Sequence, residues 1–313
     1  MPCGYNVAAR KLDIGMKSID GRGHTVTPMT TTTAYEVAMA LERADASARV
    51  LGARALAARH GSGPAAAFSA LAAAGPEGLV PPVGTGGALA ARHLEHAALI
   101  AATGTALPDD VSDALSHAAA AARAQAGGAN ALDPRGAAVA VRREVAAVRG
   151  LAADAMPRDA RWHAMRLGTF LPRAGWMSAL LMACTQVAAS QPSSAASIWR
   201  AASLVAGAGS DVVAGESLAR VLMGDSDVPI SVAHAIDQVT GALFALSRSG
   251  VCDSGPLALA RATGARLSAA CGPHAPDPPE AEVISEVLDA IGAIAGSTRL
   301  GTARPMAREP VAA

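Results

Sequence analysis

The chain has 313 residues, with 26 Lys plus Arg balanced by 26 Asp plus Glu, and only 17% of it is charged. That balance argues against a nucleic-acid binder, which needs a basic excess or stripe to neutralise phosphates; no apolar run reaches the roughly 18 residues of a membrane-spanning helix. Hydrophobic residues make up 51%, much of it alanine, and aromatics only 3%, so composition favours the strongest helix former over strand-rich patterns and predicts an all-α fold.

Residues 1–28 mix Gly, Lys, Asp and Thr without periodicity and read as an irregular N-terminal extension. The opening "MPCGYNVAARKLDIGMK" has no continuous apolar segment, so a secretory signal is not expected. From Met29 the sequence "MTTTTAYEVAMALERAD" offers Thr32 or Thr33 as a helix cap, with Glu36 as the capping-box acid. This helix is predicted to run to His60, where "GSGP" breaks it. Further Gly/Pro punctuation leaves helix-length segments at about 87–104, 109–127, 135–154, 158–190, 193–207, 215–223, 229–249, 255–271 and 280–299. None alternates as a strand would. The expected organisation is one helical, bundle-like domain over 29–300, followed by a disordered tail at 301–313. Pro172 falls inside the 158–190 segment. An interior proline removes a backbone bond at a cost of about 3 kcal/mol, so a kink or break is predicted near Gly168–Pro172.

Shifting the chain by 130 residues lays "LERADASARVL" (41–51) over "LPRAGWMSALL" (171–181). In the first copy Val37, Leu41, Ala44, Ala48 and Leu51 form one apolar helical stripe. Their counterparts Leu167, Leu171, Ala174, Ser178 and Leu181 largely preserve it. The starts "LPDDVSDAL" (107–115) and "VPISVAHAI" (228–236) are also comparable. The domain is therefore expected to comprise two divergent, pseudo-repeated halves.

Of the charges, only Arg43 repeats, as Arg173. Glu42, Arg43, Asp45 and Arg49 fall within eight residues of the first copy, whereas Glu42, Asp45 and Arg49 correspond to Pro172, Gly175 and Ala179. On the helix, Glu42, Asp45 and Arg49 share one flank of the apolar stripe. Three readings stand: a solvated Asp45–Arg49 pair, a buried network reaching neighbouring helices, or a ligand site. The second copy keeps its stripe and manages without the charges. This favours pairing of Glu42, Asp45 and Arg49 with polar groups on other helices.

The remaining constellations point to packing. His93 and His96 lie one turn apart beside Glu95, but no third metal ligand is identifiable, and "HLEH" is one residue short of the H-x-x-E-H pattern. Cys252-Asp253 and Cys271-Gly-Pro-His274 lack ligand-pair spacing. Cys3, Cys184, Cys252 and Cys271 form no C-x-x-C and are expected to be reduced thiols of a cytoplasmic protein. Gly84, Gly86 and Gly87 precede a helix without the Lys-Ser/Thr of a phosphate loop. Trp162, Trp176 and Trp199 read as anchors between helices. Neither metal nor cofactor is expected.

These segments resemble the alpha-E domain family, a bacterial group of predominantly helical proteins. Its members carry a helix with an aromatic and then G-R-x-x-E-R-A-[DE]-x-x-A-R-x-L. Here Tyr35 is followed by Glu42-Arg43-Ala44-Asp45 and Ala48-Arg49, with Ala38-Met39 for Gly-Arg. The second copy reads Trp162, Gly168, then Pro172-Arg173-Ala174 for Glu-Arg-Ala. The family's R-E-N-A-R helix matches "AAAAARAQA" at Arg123, and its F-P-R-S-V start matches Val228-Pro229-Ile230-Ser231-Val232. The resemblance implies a candidate polar cluster of Glu42, Arg43, Asp45, Arg49 and Arg123. It also implies the company of ATP-grasp-like or transglutaminase-like proteins, beside which the family's genes often lie. The implied role is an accessory one in forming an amide or peptide bond, without intrinsic catalysis. The alternatives are an enzyme that uses the cluster on a peptide-like substrate, or a helical interaction scaffold.

Overall fold

The computed structural model describes residues 29–59, 62–74, 85–104, 106–127, 133–207, 216–271 and 281–300. The expected extension at 1–28 and tail at 301–313 lie outside them. Among the described residues the chain is all-α. In chain order the helices are α1 (Met29–Arg59), α2 (Ser62–Ala74), α3 (Gly86–Ala102), α4 (Asp109–Gly127), α5 (Pro134–Ala155), α6 (Ala160–Ser190), α7 (Ala195–Ala206), α8 (Glu216–Gly224), α9 (Val232–Arg248), α10 (Ser254–Cys271) and α11 (Ala281–Ser297). None is long and apolar enough to cross a membrane.

Two 31-residue helices, α1 and α6, pack on each other at the centre. Their contact is backbone-close because small residues meet there. A Cβ added at Gly168 would lie 2.2 Å from the Tyr35 carbonyl oxygen and 3.1 Å from the Ala38 Cβ. Around α1, helices α3, α4 and α5 close a ring in which α3 and α5 touch α1 and α4 joins them. Around α6, helices α9, α10 and α11 follow the same neighbour order. By that order α9 takes the place of α3. The sequence pairing of the 107–115 and 228–236 starts instead matches the beginning of α4 with that of α9, so it joins helices with different neighbours.

Alanine sets how closely these helices approach, and sparse large side chains fill the rest. The first bundle buries Leu41, Leu94, Leu115 and Val145; the second buries Leu180, Leu181, Ile198 and Leu243. The stripe read from the sequence faces inward in both copies, with only Leu51 half-buried. The early part of α1 serves the first core, whereas Val50, Ala53 and Ala57 serve the second.

Three expectations are corrected. Thr32 and Thr33 are not caps, since the helix is already formed at Met29 and both lie inside it. The "GSGP" break is followed at once by α2, in which Gly63 and Pro64 occupy the first turn; there a missing N–H costs no intrahelical bond. Of the kink or break expected at Pro172, the break is overturned: α6 continues through it from Ala160 to Ser190. The close packing of Gly168 on α1 holds this stretch before the missing bond, and the Arg173–Glu42 fork holds it after.

Candidate functional site

The charged group of α1 is buried. Glu42 is 4% exposed and Asp45 3%, and both point from the flank of the apolar stripe into the junction of α1, α5 and α6. Burial of a carboxylate requires paired charge and donated hydrogen bonds. Arginines from three helices supply both. Arg173 on α6 donates from Nε to Glu42 Oε1 at 2.8 Å and from Nη2 to Oε2 at 2.7 Å, a two-toothed fork. Its Nη1 donates to the Pro229 carbonyl at 3.4 Å, and its guanidinium lies 4.9 Å from the Phe170 ring centre. Arg149 on α5 also donates to Glu42 Oε2.

Asp45 is held by three arginines. Arg49 Nε donates to Oδ2 at 2.8 Å, one turn along the same helix. Arg142 Nε donates to Oδ1 at 3.3 Å, and Arg149 Nη1 stands 3.8 Å from Oδ2. Arg49 Nη1 also donates to the Ala206 carbonyl at 3.3 Å, tying α1 to the end of α7. That helix ends on Gly207, which adopts the left-handed conformation at φ 71° as its cap. Burial alone would raise the Asp45 pKa, but Arg49, Arg149 and Arg142 together hold it below the ordinary carboxylate value. Burial likewise works against the Arg173 charge, and Glu42 overcomes it, so that pKa is raised.

Of the five residues expected to form the cluster, Glu42, Asp45 and Arg49 are brought together. Arg43 is placed on the exposed side of α1, because adjacent helical residues point about 100° apart. Arg123 on α4 pairs instead with Glu95 on α3, Nε to Oε1 at 2.6 Å, in a largely exposed bridge. The cations that reach the site are Arg142, Arg149 and Arg173. Arg173 is the position that the shift of 130 sets opposite Arg43. Arg142 and Arg149 had a legible signal too: they stand seven residues apart, each directly after a buried valine (Val141 and Val148).

The other constellations serve structure. No group of three metal-binding side chains occurs among the described residues. His93 is half-buried between α1 and α3; burial first, then Arg43, Arg92 and His96, push its pKa down to about 4. Cys184, Cys252 and Cys271 are buried free thiols, and burial raises that of Cys184 to about 12. Trp199 is buried in the core, and Trp162 carries the Arg158 guanidinium 3.9 Å from its ring centre.

An all-α protein whose two central helices are tied by a buried glutamate–arginine fork is the class these features define. The family model of Alpha-E, "a predicted alpha-helical domain with a conserved ER motif", matches residues 87–295, and the chain belongs to that family. The Glu42-Arg43 dipeptide precedes the matched stretch, and the shift of 130 residues sets Pro172-Arg173 opposite it. The glutamate and arginine that meet in space, Glu42 and Arg173, come from α1 and α6 rather than from one dipeptide. Neither curated proteins nor solved structures gave a match.

Proposed function

We propose that this chain is a non-catalytic accessory component of an ATP-grasp-associated system that makes amide or peptide bonds in the bacterial cytoplasm. Two supports bear on this reading: the company that the family resemblance implies, and the state of the two carboxylates. A general base or nucleophile needs an accessible lone pair and a pKa near the working pH. All four carboxylate oxygens of Glu42 and Asp45 accept from guanidinium groups, and the Asp45 pKa is depressed. A cluster so engaged suits clamping helices for partner binding better than proton transfer to a peptide-like substrate.

The test is affinity purification of the full chain from its native cells after mild crosslinking, with mass spectrometry of what comes along. The expected result is enrichment of an ATP-grasp-like or transglutaminase-like protein over an untagged control. Amide-bond formation or cleavage by the purified chain alone, lost in Glu42→Gln, would overturn the reading in favour of the enzyme alternative.

A further inference from the structure

The buried cluster is electrostatically incomplete. Four guanidinium groups (Arg49, Arg142, Arg149 and Arg173) face two carboxylates, and no other acidic side chain lies within ion-pair distance of these arginines among the described residues. Every carboxylate oxygen is already an acceptor, yet donors are left over. Arg149 Nε is buried without a partner. Arg142 has one bond, the 3.3 Å contact from Nε, and its side chain is 43% exposed. Both arginines stand on α5 two turns apart and converge on Asp45, so they share one face of the helix, where the Arg142 side chain is 43% and the Arg149 side chain 26% exposed.

From this surplus we infer that the outer face of Arg142 and Arg149, backed by Arg49, is an oxyanion site. Its ligand class is a phosphoryl or carboxylate group that engages guanidinium forks. Guanidinium donors match the paired oxygens of either group, and a partly desolvated, net positive setting strengthens each bond. The buried carboxylates are not competitors for the ligand; they hold the arginines in a preset geometry, so little side-chain freedom is lost on binding. This inference is independent of the accessory role, since an isolated chain should bind the anion whether or not a partner protein exists.

Calorimetric titration and thermal melting of the full chain test it, using inorganic phosphate, pyrophosphate and glutarate at matched ionic strength against chloride. Saturable binding with a raised melting temperature is expected for at least one of these. A response to phosphate or pyrophosphate alone assigns a phosphoryl group; a response to glutarate alone assigns a carboxylate; either supports the site. Arg142→Gln, which removes only a long and half-exposed bond, should fold normally and weaken binding about tenfold, the size of one charge-assisted hydrogen bond. Arg266→Gln, in the exposed pair with Glu286, should leave binding unchanged. No saturable effect beyond chloride, or equal binding by Arg142→Gln and the unaltered chain, would overturn the proposal.

Discussion

Glu42 and Arg173 stand 131 residues apart and close a two-toothed ion pair, at 2.8 and 2.7 Å, across the contact of α1 and α6. Each is less than 10% exposed. Truncating one partner strands the other charge away from water, which typically costs about 3–5 kcal/mol. Glu42→Ala and Arg173→Ala should each lose about that much in urea denaturation, and the double variant should lose clearly less than their sum. Arg49→Ala should cost less than either, because Asp45 keeps Arg142 and has Arg149 nearby. Additive, near-zero effects would show the fork to be energetically idle.

Gly168 sets how closely the two central helices approach. Any Cβ there would meet the Tyr35 carbonyl oxygen at 2.2 Å and carbon at 3.0 Å, both backbone atoms that move only with the helix. Gly168→Ala is expected to destabilise by about 3 kcal/mol or more, with α1 and α6 forced apart. Gly150 in α5 has nothing within 4 Å of the same position, so Gly150→Ala should instead stabilise by about 0.5–1 kcal/mol through helix propensity. Thermal melts of the two variants should therefore move in opposite directions.

Most helices were legible because Gly and Pro cluster between them and alanine fills them. Helix α2 was not, because Gly63-Pro64 reads as a break when it stands in fact in a first turn. The apolar stripe identified which side of α1 is buried, and the missing charges of the second copy showed that Glu42, Asp45 and Arg49 do more than form a helix. The identity of their partners was hidden for a physical reason. Sequence proximity favours Arg43, yet side chains of adjacent helical residues diverge, and the arginines that do arrive come from α5 and α6, about 100 or more residues away. Which helix lies beside which is decided by long-range packing that local periodicity does not encode.

His93 gives the protein a mild-acid weakness. Its folded pKa, about 4, lies below the ordinary 6.5, so between those values the unfolded chain binds a proton that the folded chain refuses. Stability from this group is complete above pH 6.5 and falls as the pH drops toward 4. Asp45, whose folded value is depressed, adds a separate loss only below its ordinary 3.8. Melting temperatures of the unaltered chain should decline from pH 7 to pH 4.5, and His93→Gln should decline less steeply over the same range. Parallel curves would remove His93 from the explanation.

The central pair offers one further position where the shift of 130 can be tested. Ala38 and Gly168, related by the shift of 130, face each other across the contact: a Cβ added at Gly168 would lie 3.1 Å from that of Ala38. Glu42 then reaches Arg173, the counterpart of Arg43. The mirror contact would join residue 172 to Arg43, but Pro172 cannot make it, and Arg43 stays exposed. Pro172→Ala should stabilise α6 by about 1–3 kcal/mol, because it restores the backbone bond to Gly168 and removes the ring. Pro172→Glu should gain the same helix term and, in addition, a pair with Arg43. Since Arg43 is exposed, that pair is worth roughly 0.5–1 kcal/mol. A cycle of Pro172→Glu and Pro172→Ala, each with and without Arg43→Ala, isolates it. Coupling of that size would reveal a second ion-pair position silenced by proline. Zero coupling, with both helix variants equally stable, would mean that the two halves share packing but no common polar geometry.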